Sequence, residues 1–374
     1  MNLPHEWDDA GLVKLHFYKG LTPTLIKEII ETYHSYEHFL DANLPEKLNL
    51  IVNQGELFRR GIKKPETESA RQLDFTEKNN IKLISIWDSE YPTLLKEIYS
   101  APPLLFVKGK LQVPSSNCIS IVGTRKCSNY GRINTERFAE FFSRRNIVVV
   151  SGLAYGIDSI THNAVVNSGG ITYAVIASGI DRLSPSTSVK NAERIIETGG
   201  AIISTYMCGT PALPAFFLQR NRIIAGISKA TLIVESRIKG GSLNTAKFAR
   251  DENRELYAMP GNITSPNSEG TNNLISRGLA LLAYSPEQMY KDLSFAESEN
   301  ISIDDLTSEN NSKVNFANEN EKIIYENLSY EPIHVDSLAE KCKIDIPTIL
   351  VNLLNLEFSG AVRQLPGKYY IVAI

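Results

Sequence analysis

The chain has 374 residues, 43% hydrophobic and 22% charged, and its 39 Lys and Arg against 42 Asp and Glu leave a net charge of −3. A chain of this kind buries a large core, divides into two or three domains, and meets a polyanion only through a local basic patch. No run approaches 18 uninterrupted apolar residues, residues 1–9 carry no apolar signal core, and the four cysteines form no C-x-x-C pair; membrane spans, secretion and a disulfide scaffold are therefore excluded, and a reducing cytoplasm is expected.

Residues 1–75 read as short helices, with Leu12, Leu15, Leu21, Leu25, Ile26, Ile29 and Ile30 at helical spacing. The run Lys19-Gly20-Leu21-Thr22-Pro23 gives a helix–hairpin–helix pattern. Such a turn either contacts a DNA backbone or belongs to a small packing domain.

Over 76–295 the pattern changes to continuous apolar runs, at 119–122, 147–150, 172–176, 201–203, 231–234 and 256–259, separated by helical stretches. Unbroken rather than alternating apolar runs mean strands covered on both faces. The expected fold is a doubly wound, mostly parallel α/β sheet of Rossmann-like kind, with 82–86 and 104–107 as further strands or a lead-in lobe. Residues 296–320 are polar and acidic and read as a flexible linker. In 321–374 three helical stretches precede two short strands around Pro366-Gly367, a winged-helix pattern.

Ligands of open α/β sheets sit outside the carboxyl ends of the strands. Three segments fall at such ends, and a fourth lies against a helical run between two of the strands. Gly123-Thr124-Arg125 offers a close backbone approach, a hydroxyl and a guanidinium fork. Ser151-Gly152-Leu153-Ala154-Tyr155-Gly156-Ile157-Asp158 is a Gly-rich turn with Asp158 as a helix cap and His162 one turn on. That pair reads either as an acid–base couple or as a cap plus a packed histidine.

Arg220-Asn221-Arg222 abuts an apolar helical run. Positions two apart on a helix diverge by about 200°, so the turn before the helix is expected to hold at least one arginine if both serve one site, with Asn221 as cap. Arg220 is then the ligand contact, and Arg222 a second contact or the partner of an acid. Lys239-Gly240-Gly241-Ser242 supplies glycines able to take unusual φ and a helix N-terminus suited to an anion. From Arg220 to Glu255 eight basic residues face four acidic ones, a local +4. There is no P-loop, no H-E-x-x-H, no G-x-S-x-G, no zinc spacing and no G-x-G-x-x-G. No catalytic, cofactor or metal site is expected.

The order of these motifs resembles the bacterial DNA-processing protein A (DprA, or Smf) family. The carrying residues are Ile121-Val122-Gly123-Thr124-Arg125, residues 151–158 with His162, Gly179-Ile180-Asp181, Arg220-Asn221-Arg222-Ile223-Ile224-Ala225-Gly226, Gly240-Gly241-Ser242-Leu243 and Pro260-Gly261-Asn262. The resemblance spans about residues 80–290, and the flanking helical hairpin and winged helix are similar to those of extended members. It implies a non-catalytic single-stranded-DNA-binding protein of natural transformation (competence) and DNA recombination. Such a protein shields incoming DNA, loads the RecA recombinase and acts as a homodimer. It also implies a DNA pocket at Arg125 and Arg220–Arg222, with Phe216 or Phe217 stacking a base. The chain departs from the family pattern at Ser184-Pro185-Ser186, Thr205 and Gln219, which lowers the pocket's positive charge; Lys190 and Lys239 are the candidates to compensate.

A second reading comes from another class, an enzyme acting on a nucleotide monophosphate on a related Rossmann-like fold. Glu235, at a strand end, is its only well-placed acid, and it reads equally as the partner of an arginine. A third reading is a scaffold whose winged helix binds duplex DNA or a protein.

Overall fold

The computed structural model describes residues 3–18, 20–45, 48, 65–111, 117–293 and 316–372. The strands of its main sheet are β1 (Ile81–Ser85), β2 (Leu104–Gly109), β3 (Cys118–Val122), β4 (Val148–Ser151), β5 (Thr172–Val175), β6 (Ala201–Ser204), β7 (Ala230–Ile233), β8 (Glu255–Ala258) and β9 (Leu281–Leu282). They form a nine-stranded sheet in the order β1-β2-β6-β5-β4-β3-β7-β8-β9. From β6 to β9 every pairing is parallel; β1 and β2 join as an antiparallel edge, so the runs at 82–86 and 104–107 are strands of the same sheet.

The unbroken apolar runs have their physical reason in this layering. Strands β3 to β7 are buried along their whole length. Cys118, Val122, Val148, Val150, Tyr173 and Ile203 point to one face. There they pack on α9 (Pro214–Gly226) and α10 (Ser242–Asp251). Ile119, Ile121, Val149 and Leu232 point to the other, against α6 (Asn129–Ser143) and α7 (Ile157–Asn167). Each fully buried side chain of this type contributes roughly 1.5–3 kcal/mol.

The N-terminal helices α1 (Asp9–Leu15), α2 (Pro23–Thr32), α3 (Tyr36–Asp41) and α4 (Pro65–Lys78) extend the second layer. Leu12, Ile29 and Phe39 share a buried cluster with Phe106, Ala174 and Ile202 of the sheet and with Ile195 of α8 (Val189–Glu197). The expected hairpin is the turn between α1 and α2. Thr22 caps α2 by accepting from Leu25 N at 3.3 Å; Lys19 lies outside the described residues.

The expected linker falls outside the described residues up to 315. At 316–320 the chain already turns into α13 (Glu319–Glu326), capped by Asn318, which accepts from Glu321 N at 2.9 Å. Helices α14 (Val335–Cys342) and α15 (Ile346–Phe358) follow, with a three-stranded sheet of β10 (Ile333–His334), β12 (Tyr369–Val372) and β11 (Val362–Leu365) in that order. Ile324, Leu338, Ile349, Leu353, Leu356 and Tyr370 form its core. This is a winged helix.

Candidate nucleic-acid interface

Strands β3, β4, β5 and β6 run outward in one direction from the middle of the sheet, and β7 returns to the other flank of β3. The boundary between β3 and β7 is the topological switch point, where an open α/β sheet leaves a crevice at its carboxyl edge. A cleft of about 550 Å³ lies there. Gly123, Thr124, Arg125, Phe217, Arg220, Asn221, Lys239, Gly240, Gly241 and Ser242 all line it; Lys190, Arg222, Phe216, His162 and Glu235 do not.

Glycines let these segments converge. A Cβ on Gly152 would run into the Arg220 guanidinium. Gly156, at φ 77°, lies against the backbone of Thr124 and Arg125 and ends the loop after β4 in a conformation L side chains rarely adopt. The expectation for Gly240 and Gly241 is corrected. Neither takes positive φ, Gly241 having φ −63°. Gly240 serves by its size, since a Cβ there would strike the Ser236 hydroxyl.

The largest correction concerns Arg220-Asn221-Arg222. Pro214 at the first helical position starts α9 early, so all three residues lie inside the helix and Asn221 is not its cap. Arg220 is only 5% exposed. Its Nη1 donates to the carbonyl oxygens of Gly152 and of Val175 (2.8 Å), and its Nε donates to Asn221 Oδ1 at 3.1 Å. Arg222 projects from the cleft to Glu252, with Nε 3.3 Å from Oε1, and lies 4.9 Å over the Phe248 ring. Its fate is that of the acid-paired alternative. Lys190 is exposed near the start of α8.

The other acidic and imidazole groups are also accounted for. Asp158 is not a cap; Gly156 holds that position, and Asp158 turns inward. Burial raises its pKa, opposed by the Arg220 charge and then by the amides of Ala154 and Gly152. Burial lowers the pKa of Arg220, with Asp158 opposing and Arg125 adding to the shift. Glu235 does not pair with an arginine. Its buried carboxylate accepts from Ser128 N at 2.9 Å and Ser128 Oγ at 2.5 Å, beneath the start of α6.

His162 is 1% exposed. Thr172 Oγ1 donates to Val149 O at 2.6 Å, so the same oxygen accepts from His162 Nδ1 at 2.8 Å, and the ring is the neutral Nδ1–H tautomer. Burial first and the Arg220 charge second push its pKa down to about 3. The unfolded chain therefore takes up a proton below pH 6.5 that the folded chain refuses. Stability is lost as pH falls from 6.5 towards 3, at roughly 1.4 kcal/mol per unit. Urea unfolding at pH 7 and pH 5 should show the parent losing about 2 kcal/mol more over that interval than His162→Gln; equal losses would contradict the assignment. The Asp158 shift has the opposite sign and is common to both proteins, so it cancels.

Three cations and one aromatic ring are among the groups that line the cleft. Arg125, Arg237 and Lys239 are exposed on its wall. No acidic side chain among the described residues pairs with them. Phe217 lines the cleft with Arg125 5.5 Å and Arg220 5.7 Å from its ring centre. Phe216 is already stacked on Tyr206, 4.3 Å between centroids, whose hydroxyl donates to Gln219 Oε1 at 2.8 Å. Of the two candidate rings, Phe217 is thus the one turned to the cleft. Ser242 spends its hydroxyl on Ser236 (2.8 Å), which leaves the backbone amides at the start of α10 as its contribution to an anion. Arg237 was missed as a site residue; its position just past the β7 carboxyl end, two residues before Lys239, is the signal that finds it.

Residues 82–294 match the family model of DNA recombination-mediator protein A, and residues 317–368 match that of the DprA winged helix domain. Protein Smf of Escherichia coli (strain K12) is 32% identical over 330 residues, 88% of this chain and 87% of that protein. DNA processing protein DprA of Streptococcus pneumoniae is 38% identical over 198 residues, 53% of this chain and 70% of that protein. The X-ray structure of DNA processing protein A from Streptococcus pneumoniae superposes with a TM-score of 0.60 at 33% identity, covering 78% of this chain and 98% of that one. The fold is shared as well by DNA processing protein A from Helicobacter pylori, studied for its single-stranded DNA binding mode, with a TM-score of 0.52 at 23% identity over 57% of this chain and 97% of that one.

Proposed function

The chain belongs to the DNA recombination-mediator protein A family, and on that premise we propose that it binds single-stranded DNA in the cleft at the β3/β7 switch point. The observation that carries the reading is the set of cations without acidic partners among the described residues, Arg125, Arg237 and Lys239, beside the half-buried ring of Phe217 on the cleft wall. Phosphates meet the cations and the amides of Gly123, Gly241 and Ser242, whereas the Thr124 and Gly240 amides donate to the carbonyl oxygens of Glu235 (2.9 Å) and Arg237 (2.8 Å). A base lies on Phe217, where stacking is sequence-tolerant because every base has a π-face. Lys190, on the exposed start of α8, extends the path of the strand beyond the cleft.

Arg220 acts through others in this reading. It ties α9 to the loops after β4 and β5, holds Phe217 in place and offsets the Asp158 charge. The protein is a binder rather than a catalyst. Its acids Asp158 and Glu235 are buried on amides and a serine, and Glu235 does not line the cleft. As in the role the family resemblance implies, it shields incoming DNA, hands it to RecA in the cytoplasm and works as a homodimer.

A gel shift with single- and double-stranded oligomers of equal length, with a light-scattering mass alongside, tests this. Single strands should bind at least tenfold more tightly, to a particle of two chains. Equal affinity for the duplex, or base release from AMP or CMP, would overturn it.

A further inference from the structure

The loop after β4 carries an aromatic ring that the cleft does not use. Ala154 lines the cleft, whereas Tyr155 lies outside it and is 53% exposed. Contacts on both flanks fix where Tyr155 stands. Ile157 N donates to Thr124 O at 3.2 Å, which ties this loop to the segment that carries Arg125. On the other flank Thr187 Oγ1 donates to the Tyr155 hydroxyl at 3.0 Å, which ties the ring to the turn Ser186–Ser188 that leads into α8. The ring is held at its hydroxyl, and among the described residues no other ring stacks on it.

The sheet order β5-β4-β3-β7 sets the loops at the carboxyl edge in a row. Arg237 and Lys239 follow β7, Arg125 follows β3, Tyr155 follows β4, and Arg182 and Lys190 follow β5. Arg182 and Lys190 are exposed, and among the described residues neither pairs with an acid. Asp181, beside Arg182, is engaged by the Gly209 amide at 2.6 Å. Neighbouring strands lie about 4.8 Å apart, so the row from β7 to β5 spans roughly 14 Å. Along it Phe217, with Arg125 5.5 Å from its ring centre, comes first, and Tyr155 stands between Arg125 and the cations after β5.

We propose that Tyr155 is a second stacking platform, which takes a base of the strand where it leaves the cleft towards Lys190. The proposal rests on the reading of the cleft as the single-strand site and gives that site a length and a course along the sheet edge. The alternation of cation and ring selects the occupant. An unpaired strand offers a phosphate at every nucleotide with a base between, and its bases have free faces. A duplex keeps its bases stacked on one another and has no face to give Tyr155. A protein surface seated on the ring would leave cations on both sides of it without phosphates to meet.

The test compares the parent, Tyr155→Ala and Tyr155→Phe on a dT oligomer of about 15 nucleotides and on the same sugar–phosphate backbone without bases. On dT, Tyr155→Ala should bind about tenfold more weakly and Tyr155→Phe within about threefold of the parent. On the baseless backbone all three should agree within about twofold, and the salt slope on dT should be the same for all three, because no phosphate contact is lost. Parent-like binding of dT by Tyr155→Ala overturns the platform alone. So does an equal loss on both backbones, or a Tyr155→Phe variant as weak as Tyr155→Ala, since either makes the role one of loop shape or of the hydroxyl. A parent that binds neither oligomer overturns the cleft and the platform together.

Discussion

Arg220→Ala should destabilise the main domain by about 3–5 kcal/mol, the cost of stripping one partner from a buried charged network. The guanidinium is 5% exposed and satisfies the carbonyl oxygens of Gly152 and Val175 from the middle of α9. Without it both acceptors lose their donor, and Asp158 loses the charge that opposes its burial, so its pKa rises further. The melting temperature should fall on the order of 10 °C. Arg220→Lys should recover only part, because a single ammonium does not reproduce a planar fork reaching two carbonyls and Asn221. DNA affinity should fall as well, through displacement of Phe217 and the Gly152–Gly156 loop. A variant that melts like the parent yet fails to bind DNA would instead make Arg220 a direct phosphate contact.

The opposite signature is expected of the cations on the cleft wall. The triple variant Arg125→Ala, Arg237→Ala, Lys239→Ala removes exposed charges without acidic partners among the described residues, so its melting temperature should stay within a degree or two of the parent's. Its affinity for oligo-dT should drop on the order of a hundredfold, at about 1 kcal/mol or more for each charge-assisted phosphate contact. The log–log salt slope should flatten by about 2, at roughly 0.7 per phosphate released on single strands. Unchanged affinity at 50 and 200 mM salt would remove the cleft from the account. Together the two experiments separate a residue that builds the site from residues that touch the ligand.

Most of the fold was legible because the central strands are buried on both faces, and continuous Val/Ile runs are the direct consequence. What escaped was short or set by tertiary context. Strands β9 and β10 have two residues each, too few to show a period. The place of α9 was misjudged because its basic stretch resembles a turn, whereas Pro214 six residues earlier starts the helix and carries Arg220 into the interior. Spacing alone does not say whether an arginine meets solvent or carbonyls. The same limit applies to Glu235, whose serine partner lies 107 residues away in sequence. The glycine and cation segments that converge on the cleft were legible, because the carboxyl ends of parallel strands share one edge of the sheet. Arg237 was legible by the same rule, since it lies between the β7 carboxyl end and Lys239.

The most direct measurement is photocross-linking of the full chain to a dT oligomer carrying bromodeoxyuridine, with the joined peptides identified by mass spectrometry. The account predicts adducts at Phe217 and in segments 123–126 and 237–244, suppressed by excess unlabelled single strand. Adducts confined to the N-terminal helices or to residues 316–372 would contradict it.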